Sequence, residues 1–180
     1  MSSRVSFLLA PPAILAAATA PCYAVQYLTA EQAQHVLFPD AEEFVPRMVN
    51  LSSEQMNAIR EASGQRVRTP EQRVWLAKRG EKNLGWYIVD EVYGKHEFIT
   101  YAAAISTAGK VLGIEVLDYR ETYGYEIRNP LWRAQFVGKT LSDPLKLDED
   151  IKNISGATLS CRHITDGIRR LLALHALALR

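Results

Sequence analysis

Cysteine is nearly absent from this chain, which holds only Cys22 and Cys161 in 180 residues. One lies just after an N-terminal apolar run and the other near the C-terminus, so no disulfide framework is expected. No Cys-x-x-Cys-His offers haem attachment, and no Cys/His set has zinc spacing. An excess of one charge is also missing: 21 Lys+Arg stand against 20 Asp+Glu, for a net charge of +1. Nucleic-acid binders concentrate a basic excess, and the arginines at 162, 169, 170 and 180 cluster without interleaved aromatics, so no nucleic-acid partner is expected. Long apolar runs are confined to Val5–Ala20, which is shorter than the ~20 residues of a membrane span and carries Pro11 and Pro12. Arg4 precedes this run and Pro21-Cys22-Tyr23-Ala24 follows it, the pattern of a secretory signal. Cleavage after Ala24 and a periplasmic product, soluble or peripherally membrane-associated, are therefore expected.

The remaining sequence is ordinary in composition and long enough for one domain with a core. Thr29 leads into a helical stretch, Ala30–Leu37, that Pro39 stops. Ser52 and Gln55 form a capping box for a second helix over 54–62, with Gly64 as its stop. Between them, Phe44–Leu51 reads as extended, and Pro46 marks it as a sheet edge. Val74–Ala77, Trp86–Val92, Phe98–Ile105 and Val111–Leu117 are rich in aromatic and β-branched residues and separated by Gly-containing turns. They predict an antiparallel meander, with turns over 80–85 and 106–110. Tyr87, Val89, Phe98, Tyr101, Ile114 and Val116 are the core candidates. The fold class is α+β: an antiparallel sheet of hairpins packed with helices. The expected organisation is a signal at 1–24, a helical and extended segment at 25–80 packed on the domain, and the domain proper at 81–180.

The chemistry gathers near the end. Ser155-Gly156-Ala157-Thr158-Leu159-Ser160 precedes Ile164, Ile168, Leu171, Leu172 and His175, whose spacing predicts a helix running to Arg180. Ser160 suits the N-cap, which would put Thr158 just outside the first turn. A helix start leaves backbone N–H groups without partners and carries partial positive charge, a ready site for phosphate. Gly156 and Ala157 add no bulk to obstruct a ligand's approach. Cys161 beside this start is either a reactive thiol of lowered pKa or a packing residue.

Ser-Gly-Ala-Thr-Leu-Ser ahead of a C-terminal amphipathic helix resembles the FMN-binding domain family, which includes the covalently flavinylated subunits of sodium-pumping NADH:quinone reductase and of the Rnf complex. The resemblance runs from about Gly85 to Leu174. It implies that FMN is joined to Thr158 through a phosphoester, and that Ser155, Gly156, Ala157 and Leu159 surround the attachment. A Glu-Thr-x-Gly loop lies near the flavin in that family, and Glu121, Thr122 and Gly124 match it. The chain departs from the family in two places: Lys152 stands where members often carry an acid, and Tyr123 where they commonly have proline. The resemblance further implies a flavin transferase for maturation and a redox partner such as a cytochrome or quinone-linked complex, membrane-bound or periplasmic. The expected role is electron relay by a redox subunit rather than stand-alone catalysis. A module holding FMN or another phosphorylated ligand non-covalently is the alternative. Hydrolytic or metal chemistry has little footing: His96-Glu97-Phe-Ile-Thr100 opens like a zinc-protease helix but lacks the second histidine. The polar turn Gly94-Lys95-His96-Glu97 either faces the ligand pocket or is simply solvated.

Overall fold

The computed structural model describes residues 25–26 and 28–179, so the expected signal lies outside the described residues. Six antiparallel strands form one sheet: β1 (Val25–Gln26), β2 (Glu43–Asn50), β3 (Glu71–Arg79), β4 (Lys82–Tyr93), β5 (Phe98–Ser106) and β6 (Val111–Tyr119). Their spatial order is β1-β6-β5-β4-β3-β2, so β2 to β6 are a meander and the short β1 pairs with β6. Pro46 sits in β2 at the sheet edge, where its missing N–H breaks no ladder. The sheet is continuous across residue 80, because β3 and β4 pair down to Arg79 and Lys82. The turn there is shorter than the expected 80–85: only Gly80 and Glu81 connect the strands, with Gly80 at a φ of 52°.

Period-2 alternation divides β5 between two cores. Ala102 and Ala104 face α1 (Ala30–Leu37) together with Phe38, Tyr87 and Leu117. Tyr101, Ala103 and Ile105 face the other side, where α2 (Ser53–Ser63) and α4 (Thr158–Ala178) pack. With both sides covered, Ile99 to Ile105 is buried along most of its length. Of the core candidates, Tyr87, Tyr101, Ile114 and Val116 are buried and Val89 partly so. Phe98 is not in the core. It is 49% exposed, with its ring edge-on to Tyr93 and beneath the Arg68 guanidinium. Capping boxes start α1 (Thr29 with Gln32) and α2 (Ser52 with Gln55), and Gly64 ends α2 at a φ of 72°.

α4 is seated on the sheet by a buried ion pair. Arg170 reaches Asp90 on β4, and the Tyr101 hydroxyl donates to the same carboxylate oxygen. Gly167 makes this possible, since a Cβ there would come within 2.3 Å of the Tyr101 hydroxyl. Between β6 and α4 the chain forms two short 3-10 turns and α3 (Pro130–Arg133), started by Asn129 with proline at its first position. Among the described residues, no helix is long and apolar enough to cross a membrane.

α4 begins two residues earlier than its expected cap. The Cys161 N–H donates to the Ala157 carbonyl at 2.9 Å, so the ladder opens at Ala157 and Thr158 is the first helical residue. Ser160 turns inward and is 4% exposed, with its hydroxyl 3.4 Å from that of Tyr119. Packing therefore overrides the capping preference of Ser160, and no side chain caps the helix.

Candidate functional site

Three loops meet at the N-terminal end of α4. The first is the β4–β5 turn, closed by the Gly94 N–H donating to the Glu97 carbonyl at 2.7 Å. The second follows β6 and contains Glu121 to Gly124. Glu121 ties the two together. Its Oε1 accepts from the backbone N–H groups of His96 at 2.6 Å, Glu97 at 3.1 Å and Lys95. Gly94 leaves room for this carboxylate, because a Cβ there would lie 2.5 Å from Oε1. Burial pushes the Glu121 carboxyl up, but the donors from His96, Glu97 and Lys95 outweigh it and hold the pKa below its ordinary value.

The third loop carries the Ser-Gly-Ala-Thr motif. Gly156 has a φ of 85° and turns the chain in front of α4. Gly124, at a φ of 89°, presses on it from the second loop: a Cβ there would meet the Tyr119 hydroxyl at 2.7 Å and the Ala157 Cβ at 2.8 Å. The Tyr119 hydroxyl donates to the Tyr123 carbonyl and so braces the same junction. Burial raises the Tyr119 pKa, which keeps that hydroxyl a donor.

Between the loops lies a cleft of about 560 Å³. Gly156, Ala157, Thr158, Leu159 and Ser160 form one wall, and Lys95, His96, Glu121, Thr122 and Tyr123 form the other. The Glu-Thr loop and the motif, more than 30 residues apart in sequence, thus share one cavity. Ser155 is exposed and does not line it, while Gly124 lies beneath it as a packing residue. Among the cations, Lys95 lines the cleft, with the His96 imidazole beside it, whereas Arg120 pairs with Asp118 and Arg128 stacks over Tyr125. The Thr158 hydroxyl accepts a hydrogen bond from Asn153 Nδ2 at 3.0 Å. Cys161 is buried, and burial pushes its thiol up to about 11, which identifies it as a packing residue. Asn153 and the Tyr119–Ser160 contact are not legible in the sequence as site features. Neither carries a sequence pattern, although Asn153 lies only two residues before the motif.

A cavity of this size suits a cofactor rather than a single ion. Its chemistry suits a flavin phosphate: an uncapped helix start and a hydroxyl at one end, with Leu159 and Tyr123 supplying apolar surface. Comparison with known proteins agrees. Residues 94–173 match the FMN-binding domain family, and every residue lining the cleft falls inside that segment. This match agrees with the motif resemblance. One component of the Na(+)-translocating NADH-quinone reductase of Vibrio vulnificus is 32% identical over 104 residues, covering 48% of this chain and 41% of that protein. The corresponding component from Vibrio campbellii is 33% identical, with 48% and 40% covered. This chain therefore spans about two fifths of the length of those curated relatives. The crystal structure of Shewanella oneidensis NqrC shares the fold, with a TM-score of 0.55 at 18% identity over 77% of this chain and 81% of that one.

The Glu121 geometry yields a pH prediction. A carboxyl whose folded pKa is lowered stabilises the fold above its ordinary value, and that contribution is lost as the pH falls through the lowered one. The protection of the His96 and Glu97 amides against hydrogen exchange, relative to their intrinsic rates, should therefore fall in that acid window. In Glu121→Gln that fall should be absent. Unchanged pH dependence in the variant would show that another group holds the turn.

Proposed function

We propose that this chain is an exported electron-transfer flavoprotein that carries FMN covalently, as a phosphoester on Thr158, and relays electrons between redox partners. The observation that supports this most is the Thr158 hydroxyl on the wall of the cleft at the uncapped start of α4. When bound, FMN supplies one- and two-electron transfer, and the protein supplies attachment, orientation and electrostatics. The helix dipole contributes about 0.3–1 kcal/mol to holding a phosphate there, which orients it without retaining it. Retention would come from the ester bond. Tyr123 and Leu159 would flank the ring system. Lys95 stands on the wall opposite the motif, where its positive charge favours a reduced, anionic flavin.

A separate flavin transferase would install the cofactor. The relatives are named as parts of a sodium-translocating NADH-quinone reductase, which favours a quinone-linked complex or a cytochrome as redox partner. Non-covalent retention of FMN or a related phosphorylated ligand is the second reading, and Lys152 in place of the family's acid favours it. Denaturing electrophoresis under ultraviolet light separates the two, because only esterified flavin stays fluorescent on the chain. Export is part of the proposal: N-terminal sequencing of the mature protein should begin at Val25, and an intact Met1 would remove the periplasmic assignment.

The Glu121–Gly124 loop should tune the cofactor. Glu121→Gln keeps an acceptor for the turn but removes a negative charge from the cleft wall. The reduction potential should rise by on the order of 30 mV for a two-electron couple, equivalent to about 1.4 kcal/mol. Flavin attachment should persist. A potentiometric titration identical to the parent's would assign Glu121 a structural role alone.

A further inference from the structure

We propose that Asn153 is the positioning residue for esterification of Thr158, a role that rests on the covalent reading above. Its Nδ2 donates to Thr158 Oγ1 at 3.0 Å, while its Oδ1 is buried with no hydrogen-bond partner. An asparagine kept for packing would satisfy both arms of its amide; here one arm bears an uncompensated desolvation cost so that the other can reach the hydroxyl. The backbone around it is fixed from both sides. The Lys152 N–H donates to Gln135 Oε1 and its carbonyl accepts from Trp132 Nε1, each at 2.8 Å. The Ile154 carbonyl accepts from the Ala157 N–H at 3.0 Å. The donor is therefore preorganised by α3 and the 3-10 turn after it on one side and by Ala157 of the motif on the other. Lys152 itself is exposed and lines no part of the cleft.

The chemistry follows from the valence of an alcohol oxygen, which has one proton and two lone pairs. Asn153 occupies one lone pair, leaving the other and the O–H for reaction. In the attachment step the Oγ1–P bond forms on a flavin–nucleotide pyrophosphate. The bond from that phosphorus to the bridging oxygen breaks, and the electron pair leaves with a nucleoside monophosphate. The Oγ1 proton passes to a base of the transferase or to water. Once esterified, Oγ1 is a poor acceptor, but the non-bridging oxygens two bonds away are anionic. The same Asn153 N–H then serves one of them as a charge-assisted hydrogen bond. One donor thus orients the alcohol before the reaction and the phosphodiester after it.

The test uses the full chain, a flavin transferase and a saturating flavin–nucleotide donor, with attachment followed by mass spectrometry. Asn153→Ala should lower the turnover of attachment about tenfold or more while the KM for the chain changes by less than about twofold. Thermal stability should hold or rise, since the buried unpartnered carbonyl is gone. Asn153→Asp removes the donor and sets a negative charge beside the incoming phosphate, so it should be slower than the alanine variant. After prolonged reaction, the phosphorus-31 resonance of the attached flavin should move between parent and Asn153→Ala. Should the alanine variant not fold, Asn153→Ser carries the same readouts. A parent that takes no flavin on Thr158 overturns the covalent reading itself. A parent that does, alongside an alanine variant of equal turnover, an aspartate variant at least as fast as the parent, or an unmoved phosphorus signal, overturns the role of Asn153 alone.

Discussion

Thr158→Ala should yield a folded chain that loses all colour on denaturation. The substitution removes the hydroxyl that would be esterified and leaves the backbone of the cleft wall intact. Thr158 is half-buried and its hydroxyl is held by Asn153, so the stability cost is about 1 kcal/mol. That corresponds to a fall of roughly 2–4 °C in Tm for a domain of this size, well short of unfolding. The parent, produced with the transferase, should be heavier by one FMN less one water, all of it on the peptide containing Thr158. Thr158→Ser keeps a hydroxyl and should take partial label. Lys152→Asp should raise the attached fraction if the missing acid weakens recognition by the transferase. Flavin found on another residue, or an alanine variant as strongly labelled as the parent, would sink the assignment.

The second large effect should come from Asp90, which does not line the cleft. Its carboxylate is 15% exposed and Arg170 is 8% exposed, so Asp90→Ala leaves a buried guanidinium without its carboxylate. Removing one partner of a buried pair costs about 3–5 kcal/mol, against typical domain stabilities of about 5–15 kcal/mol. A Tm lowered by roughly 10 °C or more is the expected thermal signature. The double variant Asp90→Asn with Arg170→Met removes both charges and should recover much of that loss. A single variant within about 1 kcal/mol of the parent by urea titration would mean that water already solvates this pair.

These two residues also mark the boundary of what the sequence reveals. Strands and helices are legible because local rules suffice: aromatic and β-branched content along 98–105, a capping box at Ser52, a proline that only an edge strand tolerates. The Ser-Gly-Ala-Thr stretch is legible as a motif. The Asp90–Arg170 pair is not, since it joins residues 80 positions apart and only the packing of α4 on the sheet brings them together. The cap of α4 is misplaced by local rules for a related reason. Ser160 has the right chemistry for a cap, but the pull of the Tyr119 side of the core outweighs it. Likewise, Glu121 is legible as a loop residue. Its bond to the 95–97 turn, some 25 positions back, is not. Phe98 has the composition of a core residue and ends at the sheet's margin beside Tyr93.

That α4 opens at Thr158 itself bears on how far a tethered flavin can travel. On a flexible loop, an attachment residue would add its own excursion to that of the cofactor's sugar chain. Here it belongs to the first turn of a rod about 30 Å long, whose inner face is buried against the sheet. The polypeptide would contribute almost no slack, so the reach of a redox group esterified to Thr158 would be set by the cofactor's own bonds. Electron tunnelling falls off steeply with distance, and a short, stiff leash would keep that distance narrow. A partner would then have to come to the cleft, because the flavin could not swing out to meet it.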